Sequence, residues 1–177
     1  MNTQNFKINS KESTIEWTGR KVTGAHNGII SVKEGEFSFE NNLLSSGRFV
    51  IDMQSIKILD IEDTETNTQF ASHLASDDFF NSNEYPEALF EIKSVEPQGK
   101  NLYSVTGDLT IKGITNSINT VLQIIITNGT AVLNTKLAVD RTLFNIRFRS
   151  GNFFKDLGDT LIFNNFDLDI HLIADAQ

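Results

Sequence analysis

The chain has 177 residues, a formal net charge of −8 and no cysteine. This length suits one domain with a substantial core and is short for two, so we expect a single domain over residues 1–177. The lack of cysteine excludes disulfides, zinc–cysteine sites and thiol nucleophiles. Basic residues are scattered along the chain, which argues against nucleic acid as a partner. The acidic balance also argues against holding a whole face of the protein to an anionic membrane.

The start of the chain, Met1–Lys7, lacks the basic and apolar regions of a signal peptide. No apolar run approaches the ~20 residues of a membrane-spanning helix, and the longest, Val121–Ile126, is interrupted by Gln123. We therefore expect no integral membrane segment and a cytoplasmic protein. The alternative is a periplasmic protein whose leader has been removed.

Alternation of apolar and polar residues, which is typical of half-buried strands, recurs along the chain. The clearest stretches are Arg48–Met53, Leu102–Lys112, Ala131–Val139 and Phe166–Leu172. In the second stretch, Tyr103 and Leu109 share the apolar face, whereas Ser104 and Asp108 share the polar one. The polar alternation of the last stretch predicts that His171 points to solvent.

Short polar turn signals separate these stretches. They are Asn41–Asn42, Gln98–Asn101, Thr127–Gly129 and Asn164–Asn165. About eight strands are predicted, a number that allows an antiparallel sheet to close on itself and hide its edges. The fold class expected from the sequence is mainly all-β, an antiparallel eight-stranded barrel with meander connectivity.

The segment Asp60–Ser76 is the exception to the strand pattern. Phe70 and Leu74 are four residues apart, as on one face of a helix. Negative charge lies where a helix N-terminus favours it, at Glu62, Asp63 and Glu65. We predict a short helix over Thr66–Ala75 that covers one end of the barrel as a lid or plug.

Candidate catalytic and metal-binding patterns are weak. The three histidines, His26, His73 and His171, show no spacing typical of a metal site. Nucleophile motifs and glycine-rich phosphate loops are absent from the sequence. We expect no catalytic residues, no metal and no cofactor, and we expect His26 and His73 to tie loops to strands.

The interior of such a barrel is either filled by side chains or leaves room for one small ligand. Bulky apolar residues fall on the strands and near the predicted helix, at Phe37, Phe39, Phe49, Phe79, Phe80, Phe90 and Phe166. Periodicity alone favours a filled interior. Trp17 lies on the apolar face of an early strand and either lines a cavity or closes the barrel end.

Several segments match the pattern of one family in order and spacing: Gly24–Gly28, His73–Phe80, Tyr85–Phe90, Val105–Thr115 and Asp140–Ile146. Together they resemble the YceI-like family of lipid-binding barrels, and the resemblance covers nearly the whole chain. It implies a lipocalin-like barrel with an elongated apolar cavity for an isoprenoid chain. The implied ligand is a prenyl quinone or a prenyl pyrophosphate. Many family members carry a signal peptide, which this sequence does not show.

The residues expected to contact such a ligand combine apolar strand positions, helix positions and candidate head-group contacts. They are Trp17, His26, Phe37, Phe49, Ile51, Phe70, Leu74, Phe79, Phe80, Phe90, Tyr103, Leu109, Arg141 and Arg147. Arg141 lies in a matched segment, although an ion pair with Asp140 is a rival role. Arg147 and Arg149 fall on one face of a predicted strand.

The expected function is therefore a carrier, store or sensor of an isoprenoid lipid or another long-tailed amphiphile, without chemistry of its own. Two alternatives stay open. An enzyme acting on such a lipid would need a histidine or carboxylate with a strongly perturbed pKa facing the cavity. An interaction module with a filled core, working through its surface or as a homodimer, would contain no cavity of several hundred Å³.

Overall fold

The structure, a computed structural model, describes residues 2–177 and is dominated by antiparallel strands. In chain order these are β1 Thr3–Ile8, β2 Thr14–Lys21, β3 Gly24–Glu40, β4 Leu43–Ile58, β5 Glu87–Pro97, β6 Leu102–Ile111, β7 Ile114–Thr127, β8 Thr130–Asp140 and β9 Ile162–Ala176. Helix α1, Thr64–Ala75, lies between β4 and β5, and two short 3-10 turns, Arg141–Phe144 and Gly158–Thr160, lie between β8 and β9.

Strands β2 to β9 form a closed barrel in which each strand pairs with its neighbours in sequence. Closure comes from the pairing of β2 with β9, which runs from Thr14 opposite His171 to Lys21 opposite Ile162. Closure removes the exposed edges that an open sheet would present. The predicted eight-stranded antiparallel barrel is thus confirmed, and a ninth strand is added to it.

The ninth strand, β1, was not predicted from the sequence. It pairs with the far end of β3, where Phe6 lies opposite Phe37, and with the end of β9, where Phe6 lies opposite Ala176. β1 thus lies between β3 and β9, as β2 does, but further along both strands. The 17-residue β3 is long enough to pair with both β1 and β2, and its pairing with β4 shifts register after Ile29, after Val32 and after Ser38.

The connections differ between the two ends of the barrel. At one end, two-residue turns at Asn41–Asn42 and Asn128–Gly129 take positive φ angles at both positions, as expected for the hairpin turns that Asn and Gly favour. The loop Gln98–Asn101 lies at this end too. The predicted turn at Asn164–Asn165 is wrong, because Asn165 pairs with Asp140 and both asparagines belong to β9.

The other end carries the long connections together with the short β2–β3 and β6–β7 turns. Helix α1 begins two residues before the predicted start and ends at Ala75 as predicted. Asp63 caps it, because its Oδ2 accepts a hydrogen bond from the Thr66 amide at 2.9 Å. Among residues 2–177, no helix combines the length and apolar character that a membrane crossing requires.

Aromatic side chains fill the half of the barrel nearest the short turns. The rings of Phe6 and Phe37 stack with centroids 5.3 Å apart, and Phe37 stacks on Phe49 at 6.3 Å. Phe39 meets Tyr103 edge to face at 5.8 Å. Such offset and edge-to-face pairs are the favoured aromatic geometries. We call these five residues the aromatic floor. They close the end of the barrel that carries the Asn41–Asn42 turn.

A close approach between strands depends on the absence of a side chain at Gly28. Gly28 pairs with Trp17 across β2 and β3, and a Cβ at this position would overlap both the Lys57 carbonyl oxygen and the Trp17 indole. The indole lies over the glycine and donates a hydrogen bond from Nε1 to the Ile29 carbonyl at 3.2 Å. Glycine therefore fixes the position of Trp17.

We predict that Gly28→Ala lowers the free energy of unfolding by about 1–3 kcal/mol, because the added methyl overpacks this contact. Urea denaturation followed by circular dichroism measures the change. Gly19→Ala is the matched control, since a Cβ at Gly19 meets nothing within 4 Å. Equal stability of the two variants would contradict the assignment.

Candidate functional site

The barrel holds an apolar cavity of about 420 Å³ between the aromatic floor and helix α1. Side chains from the eight strands β2 to β9 line its walls, including Met53, Ile118, Leu122, Leu133, Leu137, Val139, Leu168 and Ile170. This volume is within the range of small-molecule sites. Polar residues concentrate at its mouth, where Arg20, Lys21, Arg149 and Asn165 contribute to the lining.

Two threonines are the polar groups deeper in the wall. The hydroxyls of Thr120 and Thr135 lie 2.8 Å apart and hydrogen-bond to each other, and Thr135 also donates to the Val121 carbonyl at 2.9 Å. Their hydrogen bonds are made within the protein. A ligand therefore need not bring polar groups into this part of the cavity.

Eleven of the residues predicted to contact a ligand line the cavity. They are Trp17, His26, Phe49, Ile51, Phe70, Leu74, Phe79, Phe80, Phe90, Leu109 and Arg141. The fold brings them together from strands on all sides and from α1. Their contact with a ligand stays a prediction.

Phe37, Tyr103 and Arg147 lie outside the cavity lining. Phe37 and Tyr103 point inward as expected but belong to the aromatic floor. The strand predicted for Arg147 and Arg149 is wrong, because the chain leaves the sheet after Asp140 and winds over the mouth. Arg147 turns outward, with its guanidinium carbon 4.4 Å from the Phe153 ring centroid.

Much of the wall formed by β7, β8 and β9 was not among the residues predicted to contact a ligand. Leu137, Val139, Leu168 and Ile170 follow the alternation that predicted these strands, so the same signal identifies them as inward-facing. Phe148 also lines the cavity, but it lies in an irregular segment with no periodic signal. Only the path of the chain over the mouth reveals it.

The two histidines at the mouth tie neighbouring segments together. His26 Nδ1 lies 2.9 Å from Asp60 Oδ2, and the Asn27 amide donates to Asp60 Oδ1 at 3.1 Å. These contacts hold the start of β3 to the segment that leads into α1. His73 Nε2 lies 2.9 Å from Asp78 Oδ2, joining the end of α1 to the following turn.

The environment of Asp60 lowers the pKa of its carboxyl group. Burial acts to raise this pKa, but the hydrogen bonds from His26 and from the Asn27 amide, together with the charge of His26, outweigh it. A group with a lowered folded-state pKa stabilises the fold above its unfolded pKa, and that stabilisation is lost as pH falls through the folded value.

Arg141 is buried, with 4% of its surface exposed, and its guanidinium binds backbone carbonyls. Nε donates to Phe163, Nη1 to Ile146 and Nη2 to Ile162, each at 3.0 Å. Burial lowers the pKa of Arg141, while the charge of Asp140 opposes this effect. The Asp140–Arg141 ion pair, which was the rival role for Arg141, is not formed within residues 2–177.

Asp140 instead accepts hydrogen bonds from the amide and hydroxyl of Thr142, at 3.0 and 2.6 Å. This caps the 3-10 turn Arg141–Phe144. Arg141 therefore acts as a clasp that joins the turn to the start of β9. The fork of donors in arginine is suited to this role.

The described part of the chain, residues 2–177, contains no group of three or more His, Asp or Glu side chains arranged to hold a metal ion. The ionisable side chains that line the cavity lie at the mouth, and the histidines among them already contact carboxylates. The arrangement offers an apolar interior with a polar, charged entrance.

We predict that Arg141→Lys destabilises the fold by about 3 kcal/mol, because one ammonium group cannot replace a buried fork bound to three carbonyls. Hydrogen exchange of residues 145–163 should accelerate at the same time. Arg20→Lys, at an exposed pair with Asp167, should change stability by less than about 1 kcal/mol. Unchanged exchange in Arg141→Lys would refute the clasp.

Acid should weaken the attachment of α1. As pH falls from about 5 through the carboxylate range, the free energy of unfolding should decrease, and Asp60→Asn should flatten that dependence. Chemical denaturation at a series of pH values measures both curves. Asp108→Asn, a change at an exposed-face strand position, serves as the control, and parallel curves for all three proteins would contradict the role of Asp60.

Comparison with known proteins agrees with this geometry. The chain is 33% identical over 85 residues to a UPF0312 protein from Photorhabdus laumondii, a match covering 48% of this chain and 41% of that protein. The chain thus matches under half the length of this relative. BcnA from Burkholderia cenocepacia superposes with a TM-score of 0.74 at 23% identity, covering 94% of this chain and 98% of BcnA.

A polyisoprenoid binding domain from Saccharophagus degradans superposes with a TM-score of 0.71 at 12% identity, covering 97% of this chain and 98% of that domain. At these identities the two structures establish a shared fold. The model of the YceI-like domain matches residues 6–174, which confirms the resemblance found in the sequence. The chain belongs to the YceI-like domain family.

Proposed function

We propose that the protein binds a long-chain isoprenoid lipid in its barrel cavity and acts as a carrier, store or sensor of that lipid. The observation that carries the proposal is the blind apolar cavity, closed below by the aromatic floor and open toward α1. A lipid tail enters such a space because burial removes apolar surface from water. Membership of the YceI-like family and the polyisoprenoid binding domain of similar fold support the assignment.

The expected affinity follows from the size of the tail. At about 0.3 kcal/mol per buried heavy atom, some ~30 carbons contribute about 9 kcal/mol. This corresponds to roughly micromolar binding or somewhat tighter. No hydrogen bond to the tail is required, which accounts for a site without a sequence motif.

A neutral prenyl quinone head suits the histidine-containing side of the mouth better than a pyrophosphate. The buried guanidinium of Arg141 already donates to three carbonyls, so it is not an uncommitted anion-binding fork. The mouth also carries Asp60 and Asp78 beside its histidines. We therefore place the head group near the histidines and the tail among the wall residues.

Two alternatives receive less support. A filled-core interaction module is difficult to reconcile with a cavity of about 420 Å³. An enzyme acting on the lipid would need a titratable group facing the reacting atoms with a strongly perturbed pKa. Asp60 is the carboxylate that contacts the lining residue His26, and its pKa is shifted. Its oxygens are already engaged by His26 and by the Asn27 amide. We therefore propose binding without chemistry.

We predict that a prenyl quinone quenches the fluorescence of Trp17, the chain's single tryptophan, because this residue lines the cavity. The double variant Leu109→Phe and Leu137→Phe narrows the cavity and should weaken binding at least about tenfold, or about 1.4 kcal/mol. Fluorescence titration gives both dissociation constants.

The control is Leu43→Phe with Val121→Phe, the same kind of enlargement at exposed positions. It should bind the quinone as tightly as the parent protein. The proposal fails if the narrowed cavity binds with undiminished affinity while the variant remains folded by circular dichroism.

A further inference from the structure

Three aromatic side chains are exposed beside the cavity mouth. Phe153, Phe154 and Phe163 are 45%, 51% and 46% exposed. They lie in or next to the connection between β8 and β9, and Phe163 also lines the cavity. A group of exposed aromatic residues at a ligand entrance indicates an interaction surface rather than a core.

These rings are held in place by a buried anchor. Ser150 is fully buried, and its hydroxyl donates to the side-chain oxygen of Asn164 on β9 at 2.6 Å. The amides of Phe153 and Phe154 donate to the Ser150 carbonyl at 3.1 and 3.0 Å. The two phenylalanines are therefore presented on a turn that is fixed to the barrel.

The β2–β3 turn completes this surface. The Val22 amide donates to the Leu161 carbonyl at 3.2 Å, and the Ile162 amide donates to the Arg149 carbonyl at 2.9 Å. Residues 20–22 and 147–163 thus form one continuous strip, which we call the rim. Arg20, Lys21 and Arg149 in the rim line the cavity mouth, so the rim borders the entrance directly.

The rim is basic although the whole chain is acidic. It contains Arg20, Lys21, Arg147, Arg149 and Lys155 against Asp156 and Asp159, a net charge of +3 in a chain of −8. Asp167 on β9 also pairs with Arg20. The sequence shows no single basic cluster because Arg20 and Lys21 are far in the chain from the segment 147–155, and the two groups meet only in the fold.

The side of the mouth formed by α1 and its flanking segments is acidic, and it meets the rim where the ring centroids of His73 and Phe148 lie 4.7 Å apart. Its carboxylates are Asp60, Glu62, Asp63, Glu65, Asp77 and Asp78. His26 and His73 contact two of them, and Lys112 contacts Asp77 at 3.3 Å. The entrance therefore has one basic, aromatic side and one acidic side.

We propose that the rim docks on the surface of an anionic lipid bilayer. Basic residues are attracted to anionic head groups, and aromatic side chains are favoured at the membrane interface. The acidic side of the mouth is repelled, so α1 faces away from the bilayer and the entrance lies at head-group level. This orientation allows a lipid tail to pass from the bilayer into the cavity.

The overall negative charge does not prevent this docking. At physiological salt the charge of one face is screened within about 8 Å, so a docked bilayer responds mainly to the rim. The composition argues against contact between a whole face of the protein and an anionic membrane. It is compatible with a narrow contact in one orientation. Raised salt should weaken the contact.

The test uses the full chain and vesicles without any prenyl lipid, so its outcome is independent of the proposed cargo. We expect flotation with phosphatidylcholine–phosphatidylglycerol vesicles and little with phosphatidylcholine alone. Phe153→Ser with Phe154→Ser, and separately Arg147→Glu with Lys155→Glu, should each lower the partition coefficient by at least about tenfold. None of these four side chains lines the cavity.

The matched control removes equally exposed apolar side chains far from the mouth. Val121→Ser with Ile125→Ser, on the outer face of β7 where these residues are 51% and 40% exposed, should float like the parent protein. Equal losses in rim and control variants would overturn the proposal. The proposal would also fail if the parent chain does not float. One such case is a dimer in which the rim joins two copies, and Phe153→Ser with Phe154→Ser would then separate the dimer.

Retained quinone quenching of Trp17 in the rim variants separates the two proposals. Lost flotation with intact quenching is the expected result, because docking and cargo binding use different residues. If the rim variants lose quenching as strongly as the narrowed cavity does, the rim belongs to the cargo site and the docking proposal is overturned.

Discussion

The packing of the aromatic floor is the constraint on which the cavity depends. Phe6, Phe37, Phe39, Phe49 and Tyr103 interdigitate in one half of the barrel. Large rings from facing strands pack together in that half, and the other half, walled mainly by aliphatic side chains, leaves a cavity of about 420 Å³. The same barrel thereby combines a stable core with an open apolar space. Strand β1 contributes Phe6 to this floor, so the unpredicted ninth strand also stabilises the site.

The side chains at the mouth are of two kinds: those that hold the fold together and those that face outward. Arg141, Ser150 and the His26–Asp60 pair make hydrogen bonds that fix the irregular segments above the cavity. With these segments fixed, the remaining charges and aromatic rings form two unlike sides of one entrance. Proposals for both cargo and docking rest on this arrangement rather than on any reactive side chain.

Much of the barrel was predictable because alternation along a strand reports directly on which face is buried. The apolar face of Leu102–Lys112 and the helix near Phe70 and Leu74 follow from local patterns of this kind. The strand predicted for Arg147 and Arg149 failed for a different reason. Asp140 caps a tight turn and Arg141 holds the chain away from the sheet, and both effects depend on partners distant in sequence.

The candidate site was also predictable where it depends on alternation along a strand. Inward-facing strand residues such as Leu109 follow from periodicity, but periodicity cannot tell a floor residue such as Phe37 from a wall residue such as Phe90. That distinction depends on height along the barrel axis, which the alternation within one strand does not report. The rim was not predictable, since Lys21 and Arg149 become neighbours only through pairing of β2 with β9.

The proposed function requires that the cavity holds a long apolar lipid. Native mass spectrometry of the protein purified from a bacterial host, followed by extraction and identification of the bound lipid, measures this occupancy. We expect one prenyl lipid per chain. A protein that is empty on purification, and that stays empty after incubation with prenyl quinones, would contradict it.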